Sequence, residues 1–544
     1  MKITFLSVNS SFSHTSMAYH LLKGYSDPDS NHEWEMIECS IKEQTELVLR
    51  RLYKTKPDWL LASCYIFNHT ELFEILKRYV CINPDVTVIL GGPEFLGNNE
   101  KLLRDNPWIN LIIRGEGEIP LQKVIDGKRW GHIKGLVWLD ETDKYRDNGT
   151  AELADMEKVI PHYNKLFDEN RPFVQYETSR GCPNRCSFCT SSLDPILRYV
   201  PLNDVRQHLK HIQKAGIKEV RILDRTFNSK NSRAVELLKM FREEFPDLHF
   251  HCEIDPAFIQ DSLFEEIAKA PKGQLHLETG LQTFSEETYD IVQRISPMNK
   301  TIDGLNRLCS MENIQIHADL IGGLPGSTYE SQYEDLMTLI KMEPAEIQLE
   351  NLKILPGLPM AELDEISYSP TPPYEILKTS EMSYEDLCKV SNWSKMIDRF
   401  YNYEPLKSII ISLRNYDFQS FDKLHDFIDS KDGFNSILNP KNRFKILLEF
   451  IEVDYSHLLI DLAMSWYLSG FSPENGLFPA SPIRVDEEME LEFFCGDIPN
   501  SISRSYLLEL SNQSFILQYG KGQMTSPLTK KVIWSLKSKL VSSS

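Results

Sequence analysis

Three cysteines within eight residues constrain this chain more than any other feature. Cys182, Cys186 and Cys189 fall in the run Glu177-Thr178-Ser179-Arg180-Gly181-Cys182-Pro183-Asn184-Arg185-Cys186-Ser187-Phe188-Cys189, a C-x3-C-x2-C spacing. Thiols so close must converge on one loop. Ten cysteines among 544 residues are too sparse for a disulfide scaffold, so a tight group reads as a metal site. Three incidental buried thiols fit poorly, because Gly181 and Pro183 flank the first and a polar loop makes a poor core. A closed zinc site wants four ligands, usually in paired C-x2-C spacings, and no fourth Cys or His lies at a matching distance. A [4Fe–4S] cube held at only three irons explains the count better and leaves one iron open.

Downstream, apolar strand-like runs alternate with segments of helical period, the βα pattern of a parallel sheet. Six strands are expected at 173–177, 219–223, 248–254, 274–278, 314–320 and 345–350, with helices such as 202–215, 232–245 and 329–342 between them. A partial (β/α)6 barrel is the economical reading. Chemistry in such barrels sits where strands end, and those ends carry Glu177, Asp224, Glu253, Asp255, Glu278 and Asp319.

Upstream, strands at 2–8, 34–39, 59–66, 86–90 and 111–114 with intervening helices predict a doubly wound, Rossmann-like sheet, whose ligands bind at the carboxyl ends of the strands. Those ends hold Asn9-Ser10-Ser11-Phe12-Ser13-His14, Ser63-Cys64-Tyr65, Gly91-Gly92-Pro93-Glu94 and Arg114-Gly115-Glu116-Gly117-Glu118. Neither a G-x-G-x-x-G fingerprint nor a P-loop is present, which lowers the case for a dinucleotide or nucleotide.

The cysteine run, with Phe188 before its last member, resembles the radical S-adenosylmethionine (SAM) superfamily. There the open iron binds SAM, and an electron from the cluster cleaves it to a 5′-deoxyadenosyl radical. Ile222-Leu223-Asp224-Arg225-Thr226-Phe227-Asn228 resembles the motif after strand two, with Arg225 where the family often has a second acid. Glu278-Thr279-Gly280-Leu281-Gln282-Thr283 is similar to the E-x-G-x-Q segment after strand four. Gly322-Gly323-Leu324-Pro325-Gly326-Ser327 and Leu355-Pro356-Gly357-Leu358-Pro359 are similar to the turns after strands five and six. Glycines in such turns let backbone approach a ligand closely. The amino-terminal loops resemble the cobalamin-binding domain of B12-dependent radical SAM enzymes, although the D-x-H-x-x-G motif is absent.

The resemblance implies cluster ligands Cys182, Cys186 and Cys189. It implies SAM contacts at Phe188, Asp224, Glu253, Glu278, Gln282, Gly323, Pro325, Leu355 and Pro356. Cobalamin contacts would fall at Ser10, Ser11, Ser13, Ser63, Gly91, Gly92, Glu94, Gly115 and Glu116, with His14 a hydrogen-bonded loop residue rather than a cobalt ligand. The activity implied is reductive SAM cleavage followed by methyl transfer to an unactivated carbon of a small-molecule or peptide substrate, with an external electron donor such as flavodoxin or ferredoxin. Two alternatives stay open. One is a cobalamin-free radical enzyme of the methylthiotransferase type, for which Cys39, Cys64 and Cys81 would be a widely spaced second cluster set. The other is a non-catalytic iron–sulfur sensor.

The expected organisation is α/β: a cobalamin-binding domain at 1–140, a linker at 141–170, the barrel at 171–365 and a mixed α+β region at 366–544, long enough for a lid or substrate domain and equally for an oligomerisation module. A linker at 367–373 carries Pro370, Pro372 and Pro373. Helices are expected at 384–397 and 444–467, then antiparallel strands in 489–495 and 506–519. Gly496, Pro499 and Asn512-Gln513 would supply turns, and 540–544 would fray. With 59 Lys and Arg against 79 Asp and Glu, the net charge of −20 disfavours nucleic acid. The sequence shows neither an apolar run of membrane-spanning length nor a signal-peptide start, so a cytoplasmic setting without membrane attachment is expected.

Overall fold

A computed structural model describes residues 1–29, 31–159, 171–363, 365–431, 433–474, 476–485, 491–497, 502–510, 513–520 and 531–536. Pro499, Asn512, 540–544 and the 160–170 part of the expected linker lie outside them. The chain divides into two units, residues 1–335 with 350–388, and residues 336–349 with 389–544.

The first unit opens on a seven-stranded sheet: β1 (Lys2–Asn9), β2 (Glu33–Ser40), β3 (Trp59–Ser63), β4 (Thr87–Gly91), β5 (Leu111–Ile113), β6 (Leu136–Leu139) and β7 (Tyr145–Asp147), in the order β2-β1-β3-β4-β5-β6-β7. Pairs from β2 through β5 are parallel, and β6 and β7 add on antiparallel. Alternate residues of one strand enter different cores. Leu6, Val8, Leu60, Ala62, Val88 and Leu90 pack with Val48, Leu52, Leu72 and Leu76, whereas Ile3, Phe5, Leu61, Ile89 and Leu111 pack with Tyr19, Leu121 and Val124. Burial on both faces is why these strands read as continuous apolar runs rather than as alternation. The sheet continues past residue 140. Tyr145–Asp147, read as linker, is its edge strand, because a short, charged edge strand carries little hydrophobic signal.

The barrel follows: β8 (Phe173–Tyr176), the short strands β9 (Ser179–Arg180) and β10 (Arg198–Tyr199), β11 (Glu219–Ile222), β12 (His249–Ile254), β13 (Leu275–Gln282), β14 (Gln315–Gly322) and β15 (Glu346–Asn351). The main sheet has the order β15-β14-β13-β12-β11-β8, and its pairs from β8 to β14 are parallel. The proline-rich stretch is not a free linker. It forms the hairpin β16 (Ser367–Tyr368) and β17 (Ile376–Lys378), tied back by Ile354 N–H to Tyr374 O and Ile376 N–H to Leu352 O, both 2.9 Å.

The second unit carries helices Glu404–Tyr416, Ser420–Ser430, Pro440–Asp454 and Leu459–Leu468. It ends in the strands β18 (Ser481–Pro482), β19 (Leu491–Gly496), β20 (Ile502–Leu510), β21 (Gln513–Gly520) and β22 (Lys531–Leu536), antiparallel in the order β18-β20-β21-β22-β19. The single helix expected at 444–467 is two, broken where buried Tyr455 leaves helical geometry and donates its hydroxyl to Asp417 at 2.7 Å. Among the described residues no helix is long and apolar enough to cross a membrane.

Candidate active site

The cysteine loop lies between β9 and β10. Gly181 begins it at φ +89°, and a Cβ there would fall 2.4 Å from Ile196 O, so only glycine fits the turn. Cys182 and Cys186 are buried and Cys189, like Phe188, is half-buried. Burial pushes the Cys182 thiol up and the Cys186 thiol up to about 11. All three thiols lie on this one loop between β9 and β10.

Asp224, at the end of β11, holds the loop's entry. Its buried carboxylate accepts from Thr178 N–H at 2.6 Å and Oγ1 at 2.5 Å, and from Ser179 N–H at 2.9 Å and Oγ at 2.6 Å. With these four bonds its acceptor capacity is filled. Asp224 is thus engaged with the cysteine loop rather than open to a ligand, a role that its strand-end position did not reveal.

Within the barrel, one set of alternating residues meets the apolar core and the other is polar and half-buried. The polar set repeats a pattern on three adjacent strands: His251-x-Glu253, His276-x-Glu278 and His317-x-Asp319. Register places His251 beside His276, Glu253 beside Glu278 and Glu278 beside His317. His251 Nε2 lies 2.7 Å from Glu278 Oε2, and His317 Nε2 lies 3.3 Å from Asp319 Oδ1. Although burial opposes it, His251, His317 and His276 hold the Glu278 carboxyl below its ordinary value. Burial and the charges of Glu278 and Glu253 push Asp319 up. Burial also raises Glu253 to about 7, against the pull of Arg225, whose Nη1 lies 3.7 Å away. Sequence reading took the acids and missed the histidines. The repeated H-x-E/D at strand period was the signal.

The segment Glu278–Gln282, expected after the fourth barrel strand, is the end of β13 itself, whereas 323–327 follow β14 and 355–359 follow β15. Gln282, at φ +73°, folds its amide over Gly280, where a Cβ would meet Nε2 at 2.2 Å, and its buried Oε1 has no partner, as suits a group awaiting a ligand. At Gly323 φ is +79° and a Cβ would meet Leu387 at 2.8 Å and Ile376 at 3.1 Å, so both backbone and packing require that glycine, and Pro325 near it is buried. Leu355 and Pro356 are half-buried, and the following Gly357 abuts the backbone of Leu96 and Gly97, where a Cβ would fall within 2.6 Å.

At the carboxyl ends of β1, β3, β4 and β5 two cavities of about 360 and 350 Å³ share Phe5, Met17, Ala18, Ser63, Tyr65 and Leu223 in their walls. Gly91, Gly92, Gly115 and Glu116 line the first, and Ser10 and His14 the second. The barrel supplies the facing wall with Glu177 and Arg180 in the first and Gln175 and Arg225 in the second. Small residues form much of their floor, which leaves the strand-end backbone open to close approach by a ligand. Ser11, Ser13 and Glu94 line neither. Ser11 Oγ sits 2.9 Å from His14 Nδ1, and Glu94 accepts from the Tyr374 hydroxyl. Cys39 is buried in β2 with its thiol on Ser7 O, Cys64 is buried beyond β3, and Cys81 is exposed on the helix His69–Ile82.

Charged groups tie this crevice to the cysteine loop. Arg180 reaches Glu118 at 2.6 Å, Glu177 at 2.8 Å and Glu116 at 3.3 Å, and Arg198, its cross-strand neighbour, reaches Glu116 at 2.7 Å. Against burial, these two arginines hold the Glu116 carboxyl below its ordinary value.

Comparisons with known proteins agree with this arrangement. The sequence matches the B12 binding domain over residues 5–125, the Radical SAM superfamily over 176–340, and a family described as a protein of unknown function (DUF4080) over 365–501. It is 28% identical over 304 residues to an uncharacterized methyltransferase, PH0819, of Pyrococcus horikoshii, covering 52% of this chain and 64% of that protein. It is 23% identical over 345 residues to the cobalamin-dependent radical SAM methyltransferase TokK of Streptomyces tokunonensis, covering 57% of this chain and 49% of TokK. The chain therefore spans about half to two-thirds of the length of these curated relatives. Its fold is similar to that of the cobalamin-dependent radical enzyme OxsB solved with aqua-cobalamin, at a TM-score of 0.62 and 15% identity, covering 85% of this chain and 80% of OxsB. The chain is a radical SAM protein with an amino-terminal B12-binding domain.

Proposed function

We propose that this chain is a cobalamin-dependent radical SAM methyltransferase acting on an unactivated carbon of a small-molecule or peptide substrate. One observation carries the reading. The first cavity is walled on one side by Ser63, Gly91, Gly92 and Gly115 of the amino-terminal sheet and on the other by Glu177 and Arg180, which lead into the cysteine loop. The places for corrinoid and cluster thereby share a boundary within one compact unit. The names of PH0819 and TokK support the same reaction class.

Cys182, Cys186 and Cys189 would hold the cluster. Phe188, Gln282, Pro325, Leu355 and Pro356 would border SAM, and Ser10, Ser63, Gly91, Gly92, Gly115 and Glu116 would border cobalamin. When bound, the cluster supplies the electron that cleaves SAM and cobalamin supplies the methyl group. The chain's own part is to hold these groups close and dry and to orient the substrate. Glu253, Glu278 and the three barrel histidines offer hydrogen bonds to a polar substrate. Arg225, on the wall of the second cavity and beside Glu253, stands between the crevice and the barrel interior. A flavodoxin or ferredoxin would deliver the electron, as fits a cytosolic protein.

The test is anaerobic reconstitution with iron, sulfide and hydroxocobalamin, quantification of iron and cobalt after desalting, and assay of SAM for 5′-deoxyadenosine. About four irons and one cobalamin per chain are expected. Iron without cobalamin would overturn the methyltransferase reading and favour a methylthiotransferase-like enzyme. Bound SAM without cleavage would favour a sensor.

A further inference from the structure

The turn after β13 reaches back to the cysteine loop. Helix Glu286–Ile291 ends at Val292, whose carbonyl accepts from Ser187 N–H at 2.9 Å, between the second and third cysteines. Gln293 then adopts φ +58°, and Arg294 turns inward with its N–H on Tyr289 O at 2.9 Å. The Arg294 side chain is 8% exposed, and its Nη1 lies 4.0 Å from Cys186 Sγ. Its other terminal nitrogen, Nη2, meets Asp255 Oδ2 at 3.3 Å, and the Tyr289 ring centroid lies 5.4 Å from the guanidinium carbon. Asp255 is 3% exposed and also accepts from Asn184 Nδ2 of the cysteine loop at 2.8 Å and from Ser296 Oγ. The guanidinium is thus a buried cation that has a carboxylate on one terminal nitrogen and the Cys186 sulfur near the other.

We propose that Arg294 is a positioning residue that sets the electron affinity of the cluster held by Cys182, Cys186 and Cys189. The inference rests on the assignment of an iron–sulfur cluster to those cysteines, which iron and sulfide analysis of the unsubstituted protein tests separately. Reduction adds one negative charge to the cluster. A fixed cation beside a ligand sulfur stabilises the reduced form more than the oxidised form, and charge and hydrogen bonds at the sulfurs are what tune such potentials. Asp255 opposes this at longer range while holding the arginine in place.

The two partners should therefore shift the potential in opposite directions. The measurement is a redox titration of the reconstituted protein without SAM, followed by the low-temperature EPR signal of the reduced cluster. At the potential that half-reduces the unsubstituted protein, the ratio of reduced to oxidised cluster should fall about tenfold in R294Q, a shift of about 59 mV for one electron. It should rise in D255N and stay nearly unchanged in R294K, which keeps the charge. Where R294Q holds no cluster, D255N and R294K decide by the same criteria. Equal or same-direction shifts in R294Q and D255N, or loss of the cluster in all three variants, would give Arg294 a merely structural role and overturn the proposal.

Discussion

Arg180 Nη2 donates to Glu118 Oε1 at 2.6 Å, which joins the residue two positions before Cys182 to the turn that edges the amino-terminal cavity. Their side chains are 14% and 6% exposed. Arg180→Ala would take this cation from Glu118 and Glu177 and leave Glu116 with Arg198. Breaking a buried charge network by removing one partner costs about 3–5 kcal/mol. We expect a loss of that order in guanidinium denaturation, together with poorer retention of cobalamin after desalting. Glu118→Gln should cost less, because Arg180 keeps Glu177 and Glu116.

Gly91 and Gly92 separate folding from ligand binding. At Gly92, φ is +110° and a Cβ would lie 2.4 Å from Cys64 O, so Gly92→Ala should destabilise the chain by about 2 kcal/mol or more. At Gly91 a Cβ would meet Ile113 O at an ordinary 3.6 Å, and that residue lines the first cavity. Gly91→Leu should thus weaken cobalamin retention far more than it lowers the thermal midpoint. Equal cobalamin content in the unsubstituted and Gly91→Leu proteins would argue against the crevice as the corrinoid site.

The sequence made the barrel legible because its strands bury one face against helices, so runs such as 248–254 stand out, and because three thiols in one polar loop have few uses. It made the amino-terminal sheet legible down to β5 for the related reason that both faces are buried. Contacts between distant segments stayed hidden. Nothing near Pro370 or Pro372 signals that Tyr374 reaches Glu94, 280 positions away. Nor does a strand-end Asp reveal whether it faces a ligand or a backbone, and Asp224 proves to be filled by Thr178 and Ser179. The His251, His276 and His317 pattern was present in the residues, but it acquires meaning only when β12, β13 and β14 are known to be adjacent and in register.

Asp224→Asn tests that filled carboxylate. The amide offers one acceptor oxygen and turns an N–H2 group toward donors, leaving at least one buried N–H or hydroxyl unpaired at a cost of about 1–3 kcal/mol. Since the loss falls at the entry to the cysteine loop, iron and sulfide content after reconstitution should drop by more than the thermal midpoint would suggest. Full cluster content in this variant would show that the loop holds its shape without Asp224.

Glu253 carries a pH dependence whose sign follows from its surroundings. Burial, with the charges of Glu278 and Asp224, raises its carboxyl to about 7, while Arg225 and His251 pull it down. Below an unfolded value of about 4.3 both states are protonated, and the neutral acid's contribution to stability is fully present. Between that value and about 7 the folded state keeps a proton that the unfolded state has released, so stability falls as pH rises through the window. Glu253→Gln fixes the neutral form and removes this slope. The stability of the variant relative to the native protein should therefore climb from the low to the high end of that window, read from urea denaturation at each end. A difference that does not change with pH would mean that Glu253 is ionised throughout and that Arg225 outweighs burial.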